Sequence, residues 1–257
     1  MVDRNTKILE ILAMRQRVKV TSLAEVLDVS QVTVRKDLDN LEEKGLIRRI
    51  HGYASLDEAD NVGKRMAYNY SIKRRIARAA VANVKQGETV MLESGSCCAF
   101  MAEELALSQK NVTIITNSAF IANHVRFKPY INIILLGGFY QPESQVMVGP
   151  MTVKCGEIFY TDKFYIGADG FMPNYGFTGR DHMRAITAID LAGRAKEVFV
   201  LTDAPKFLSQ GVIGLIPFDK ITGVYTDEGI PKDAEEVLQK NKISVCKVPV
   251  NEVENTQ

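Results

Sequence analysis

The sequence predicts a two-domain chain. A small helical unit closed by a β-hairpin comes first, followed by a larger α/β unit built on a mainly parallel sheet. Three observations predict this. Before residue 46, apolar residues recur at helical spacing in three short stretches. From residue 87 onward, short β-rich runs alternate with helical stretches. Between the two, residues 56–63 read "LDEADNVG", a polar, acidic segment with a Gly. The expected limits are 1–56 for the first domain, 57–70 for a linker and 71–257 for the second. A chain of 257 residues is longer than one small core needs.

Composition narrows the class. Hydrophobic residues make up 46% and charged residues 25%, which is ordinary for a globular chain. A formal net charge of +1 indicates no partner by itself, so the placement of charge matters more than its sum. Cys97, Cys98, Cys155 and Cys246 form no CxxC pair. "MVDRNTKILEIL" lacks a secretory pattern, and no apolar run approaches the ~18 residues of a membrane span. A cytoplasmic protein with reduced thiols and no membrane association is expected. His51, His124 and His182 are too dispersed for a metal site, so no metal is expected. No GxxxxGK[ST] or GxGxxG phosphate loop is present, so no nucleotide cofactor is expected.

In the first domain, residues 3–15 place Ile8, Leu9, Ile11, Leu12 and Met14 on one broad helical stripe. "RVKV" is extended, and "TSLAEVLDV" gives a short second helix with Leu23, Ala24 and Leu27 inward. Asp28-Val29 turns the chain, and Ser30 is suited to cap a third helix. Val34, Leu38 and Leu41, at i, i+4 and i+7, face the core of that helix, and Gly45 is placed to end it. "LIRRI", "HG" and "YASL" then read as strand, turn and strand. Three helices and a hairpin make a winged helix-turn-helix.

A third helix of this kind fits the major groove of DNA. Gln31 and Thr33 suit base edges, Arg35 suits guanine or phosphate, and Lys36 suits phosphate. The free N–H groups from Ser30 to Thr33 suit a phosphate, and Arg48, Arg49 and His51 on the hairpin can reach the backbone or minor groove. The expected partner is double-stranded operator DNA. The competing reading is a solvated helix face in which Arg35 pairs with Asp39 at i+4, or a protein-interaction module. Residues 1–52 hold ten Lys/Arg against eight Asp/Glu, so placement rather than charge carries the DNA reading.

"LAEVLDVSQVTVRKDLDNLEEKGLIRRIHGYA" resembles the N-terminal signature of DeoR-family bacterial transcriptional regulators. It has the apolar-Ser-x-x-Thr-apolar-Arg-Lys-Asp-Leu stretch, the Leu-Glu-x-x-Gly and the Arg-x-His-Gly of that family. Tyr53 stands where the family usually has a second Gly. The resemblance implies DNA binding.

Residues 64–85 carry seven Lys/Arg and no acid, with a helical stripe through Ile72, Ile76, Ala79, Ala80 and Val84. A basic solvated helix flanking the second domain is expected. In that domain "ETVMLES", "VTIITNS", "INIILLGG", "KFYIGADG", "EVFVLTD" and "ITGVYTD" are strand-like, and "CCAFMAEELAL" and "AITAIDLAGRA" are helical. Such alternation implies parallel strands, whose ligands bind beyond the carboxyl ends. Polar clusters fall at those ends: Ser94-Gly95-Ser96-Cys97, Thr116-Asn117-Ser118, Gly137-Gly138, Asp169-Gly170, and Asp203 with Lys206. Each alone is as easily a turn or a helix cap. Together they suit a small phosphorylated polyol, with N–H groups and Lys206 on the phosphate and Asp and Asn on hydroxyls.

The order "LESGSCC", "TNS", "LLGG", "IGADG", G-x-T at 176–178 and "DAPKF" is similar to the DeoR-family sensor domain. That resemblance implies a fold like ribose-5-phosphate isomerase, a sugar-phosphate effector and repression of carbohydrate-metabolism genes. The family commonly has Ser-Gly-Thr-Thr where Cys97 ends this cluster, and Glu where Arg184 stands. Cys97 is a poorer hydrogen-bond donor than Thr, and Arg184 reverses a charge. The alternative is a sugar-phosphate isomerase with an attached DNA-binding domain. Against it, Ile166 replaces the first Asp of the isomerase Asp-Gly-Ala-Asp motif. Loss of one acid/base carboxylate removes about 10²–10⁴ in rate. A third class is a constitutive architectural protein with a vestigial pocket. A homodimer or homotetramer assembled through the second domain is expected, because one winged helix covers little DNA.

Overall fold

The computed structural model describes residues 4–56 and 62–250. Two compact units emerge, Met1–Ser71 and Ile72–Gln257.

In the first unit α1 (Arg4–Arg15) buries Ile8, Leu9 and Leu12. A short strand, β1 (Arg17–Lys19), leads into α2 (Val20–Leu27), whose inward face is Val20, Leu23 and Ala24. Asp28 takes the left-handed conformation at φ 53°, and the Val29 amide donates back to the Ala24 carbonyl at 3.1 Å. That closes the turn before α3 (Gln31–Glu43). Ser30 is extended at the N-cap, and its Oγ accepts the Thr33 N–H at 3.1 Å. Val34, Leu38 and Leu41 are buried. The helix ends in a Schellman motif. Gly45 sits at φ 70°, its N–H donates to Glu42 O at 2.9 Å, and the Leu46 N–H donates to Leu41 O at 3.0 Å.

Next come β2 (Arg48–Ile50) and β3 (Tyr53–Ser55), joined by His51 at φ 44° and Gly52 at φ 80°. Two consecutive positive φ values are what a two-residue type I′ hairpin requires. The antiparallel order is β1-β3-β2, so the wing has three strands. Part of the expected linker, residues 57–61, lies outside the described residues. The remainder corrects the expectation: Val62–Ala67 is a helix, α4, that packs against α1. Val62 and Met66, one turn apart, are both buried, which gives this stretch an apolar face.

The basic stretch forms α5 (Tyr70–Ala82), with Ile76, Ala77 and Ala80 buried. It is not simply solvated. Arg74 and Arg78 both reach Glu104, at 2.6 and 3.0 Å, and Arg75 donates to Val250 O at 2.8 Å. After it come β4 (Thr89–Leu92), α6 (Ser96–Leu107), β5 (Val112–Thr116), α7 (Ala119–Val125) and β6 (Ile131–Leu135). A hairpin of β7 (Phe139–Gln141) and β8 (Val146–Val148) precedes α8 (Pro150–Gly156). Then follow β9 (Thr161–Gly167), β10 (Gly170–Met172), β11 (Gly176–Gly179), α9 (His182–Ala192) and β12 (Ala195–Leu201). The chain closes with β13 (Ile213–Pro217), β14 (Gly223–Asp227), α10 (Lys232–Lys240) and β15 (Ser244–Val248).

Seven strands form one parallel sheet in the order β15-β14-β12-β9-β4-β5-β6. The chain winds from β4 out to β6, then returns to β9 on the other side of β4 and winds the opposite way. β4 and β9 therefore flank the switch point, the place where sheets of this kind bind ligands. An antiparallel sheet, β10-β11-β13, was not expected, because its strands are only three to five residues long and are interrupted by Gly and Pro. Aromatic packing holds it. Phe171, Phe177 and Phe207 lie with ring centroids 5.2–5.7 Å apart.

Two stability predictions follow from these contacts. Gly45→Ala puts a Cβ into a left-handed residue and should destabilise the first unit by about 1–2 kcal/mol. Urea unfolding followed by circular dichroism measures it, and Gly45→Asn should lose less. In the second unit Lys163 and Glu88 form an ion pair at 2.6 Å, with side chains only 6% and 7% exposed. Glu88→Gln strands the Lys163 charge and should cost about 3–5 kcal/mol. The double variant Glu88→Gln/Lys163→Met should recover most of that loss in the same assay.

Candidate functional sites

The outward face of α3 is shaped by what its carboxylates bind. Asp37 turns back toward α1, where Arg4 Nη2 donates to its Oδ1 at 2.9 Å and Arg4 Nε holds the other oxygen. Asp39 accepts Arg49 Nη1, and the Arg49 N–H donates to Glu42 Oε1 at 2.8 Å. Asp39 pairs with Arg49, so the competing reading in which it pairs with Arg35 does not hold, and Arg49 is engaged within the unit. The cause is the hairpin return, which lays β2 along the C-terminal half of α3 where two carboxylates converge. Among the described residues Arg35 has no ion-pair partner, and Gln31, Arg35 and Lys36 are exposed. The Ser30 and Thr33 hydroxyls lie 2.9 Å apart and serve the helix start, so Thr33 is a cap member before it is a base reader. Arg48 and His51 are exposed on the wing.

Tyr53 gathers cations that the sequence reading did not single out. The Arg17 guanidinium lies 4.2 Å above its ring and the Lys19 ammonium 5.8 Å away. Strand pairing of Lys19 with Tyr53 puts them there, and only tertiary pairing reveals it.

In the second unit, the ends of β4 and β9 meet without side chains between them. A Cβ on Gly95 would lie 2.9 Å from Gly167 Cα. Glu93 ties the two loops, accepting the Ser94 hydroxyl at 2.7 Å and the Gly167 N–H at 3.4 Å. Ser94 is fully buried, and its hydroxyl donates to Glu93. Gly95 is the extended N-cap of α6, and Ser96 is its first residue, half-buried. Helix starts leave N–H groups available.

Cys97, one residue further, is buried. Burial pushes its thiol up to about 12, the charges of Lys73 and Lys206 oppose that rise, and those of Asp203 and Asp227 add to it. The thiol is therefore neutral near pH 7 and acts as a small filler. The same charges locate a cluster around it that joins the expected Asp203 and Lys206 to Lys73 and Asp227, neither of which was singled out. Lys73 is buried on α5, one turn before Ile76 and Ala77. A Lys on an apolar stripe was the available signal. Asp227 accepts the Ala204 N–H at 2.7 Å and the Gly229 N–H at 3.0 Å, so it shapes the turn that carries Lys206.

Other expected groups also make contacts within the fold. Thr116 Oγ1 accepts the Ser118 N–H at 3.1 Å, and Ser118 Oγ accepts the Ile121 N–H at 3.2 Å. Both are fully buried caps. Gly138 is Gly because a Cβ there would lie 1.9 Å from Thr152 Oγ1, and at Gly170 it would lie 2.5 Å from Ser209 O. Gly137 is exposed. Asn117 Nδ2 donates to Met147 O at 2.8 Å, while its buried Oδ1 has no hydrogen-bond partner. Asp169 is half-buried, and one of its oxygens accepts the Arg180 N–H at 3.1 Å. Arg184 Nε lies 3.9 Å from Asp181, the N-cap of its own helix, so its charge is matched locally. Ile166 is buried in the core of the sheet.

Among the described residues no group of three or more His, Cys, Asp or Glu could hold a metal. No described helix is long and apolar enough to cross a membrane. Comparison with known proteins agrees with the two-part organisation. The DeoR-like helix-turn-helix domain matches residues 4–60, and the DeoR C terminal sensor domain matches residues 68–228. An uncharacterized HTH-type transcriptional regulator of Bacillus subtilis is 26% identical over 97% of this chain and 97% of its own. A putative aga operon transcriptional repressor of Escherichia coli O157:H7 is 27% identical over 96% of this chain and 93% of its own. The glycerol-3-phosphate regulon repressor of Escherichia coli K12 is 27% identical over 95% and 97%. Ribose 5-phosphate isomerase A of Methanocaldococcus jannaschii overlies 54% of this chain and 55% of its own, at 22% identity and a TM-score of 0.39. Two domain matches in the same order as the two units, one of them over more than half the chain, place it: the chain belongs to the DeoR family of helix-turn-helix transcriptional regulators.

Proposed function

We propose that the protein is a cytoplasmic repressor of carbohydrate-metabolism genes. It binds double-stranded operator DNA through α3 and the wing, and a small sugar phosphate in the second unit controls it. The observation that carries the DNA reading is the division of charge on α3. Asp37 and Asp39 are taken up by Arg4 and Arg49, which leaves Arg35 and Lys36 as the outward charges of its N-terminal half. N-terminal residues of such a helix are the ones that meet base edges.

For the effector, Lys206 and Lys73 supply positive charge beside the start of α6, where the Ser96 hydroxyl and backbone N–H groups suit a phosphate. Asp169, Asp203 and Asn117 Oδ1 suit hydroxyls. The effector acts only by favouring one arrangement of the DNA-binding units over another, since equal affinity for both shifts nothing. A homodimer or homotetramer formed through residues 71–257 pairs two reading helices on a repeated operator.

Arg35→Ala should weaken operator binding by about 1–3 kcal/mol and relax sequence preference. Fluorescence anisotropy against matched and scrambled duplexes measures both, and unchanged affinity would remove α3 as the reading helix. Lys206→Ala should weaken sugar-phosphate binding in calorimetry while leaving effector-free operator binding intact. Retention of effector affinity, or joint loss of folding and DNA binding, would overturn the role given to Lys206.

A further inference from the structure

We propose that Val32 reads the 5-methyl group of a thymine in the operator, and so sets base preference at one position of each half-site. The inference rests on the DNA-binding reading above. Residues on an α-helix advance about 100° each. Val34, Leu38 and Leu41 mark the buried line of α3, so Val32, Lys36, Asp39 and Glu43 run along the opposite line. Val32 is 76% exposed there.

A lone exposed Val is unremarkable on a protein surface. Its neighbours make this one informative. Toward the C-terminal half of that line Asp39 is held by Arg49, and Glu42 binds the Arg49 backbone. Asp39, Glu42 and Glu43 outnumber Arg49 there, so that half stays net negative and repels phosphates, which confines base contact to the first turns. Ser30 and Thr33 use their hydroxyls on the helix start. Gln31, Val32, Arg35 and Lys36 remain, and only Val32 cannot hydrogen-bond.

An isopropyl group in the major groove discriminates by what it covers. Against guanine O6/N7, adenine N6/N7 or cytosine N4 it removes water from a polar group and offers nothing in return. The thymine methyl is the one methyl group that the four bases present in the groove. Val32 therefore favours thymine, while Arg35 and Lys36 supply affinity around it.

The full chain would be used to select operators from random duplexes, and each thymine of the selected site would then be replaced singly by deoxyuridine, which removes only the 5-methyl group. At one thymine per half-site the replacement should lower wild-type affinity about three- to fivefold, the scale of one buried methyl. For Val32→Ala, checked for an unchanged melting curve, the same replacement should change affinity less than about twofold. Uracil effects identical in the two proteins at every position would overturn the inference and leave the regulator reading standing. Enrichment of no sequence at all would overturn both.

Discussion

The backbones of Gly95 and Gly167 touch, and the second unit is organised about that contact. β4 and β9 are sheet neighbours, but the chain winds away from them in opposite directions, so their following loops part. Where the loops begin, a Cβ on either glycine would fall within 2.9–3.0 Å of the other's Cα. The floor between the loops is therefore bare peptide. Glu93 fixes it by accepting from Ser94 on one loop and from the Gly167 amide on the other. α6 starts from this floor, and Cys97 in its first turn is buried.

Carboxylates in both units do more organising than reacting. Asp227 uses its two oxygens on the amides of Ala204 and Gly229, Asp181 caps α9, and Asp37 and Asp39 orient arginines from other elements. Such groups cost free energy to desolvate and return it only when well paired. Their pairing decides which opposite charges are left over for a partner. In the first unit Arg35 and Lys36 are exposed cations on α3 with no carboxylate partner among the described residues.

Much of this was legible in the sequence where the cause is local. The Ser30 cap, the Gly45 terminus, the His51-Gly52 turn and the buried line Val34-Leu38-Leu41 each follow from residues within two helical turns of one another. The alternation of strands and helices gave the parallel sheet. What stayed hidden depends on residues far apart in the chain. Asp39 had two arginines to choose from, and the one ten residues away won because a hairpin delivered it. Lys73 read as one of seven cations in a basic stretch, although its register with Ile76 and Ala77 put it inside. Gly138 and Gly170 sat at strand ends like ligand groups, and only the closeness of Thr152 and Ser209 showed that a side chain has no room there. The strands of the antiparallel sheet were too short for an alternation to be recognised.

The Arg49 junction has a mechanical consequence. It joins the wing to the reading helix through Asp39 and Glu42, while Arg4 joins the first helix to the same element through Asp37. The first unit is thus braced on two sides, with α3 tied to both α1 and the wing. A signal cannot bend the helix away from the wing without breaking these ties. A displacement that leaves these ties intact carries α1, α3 and the wing together as one piece.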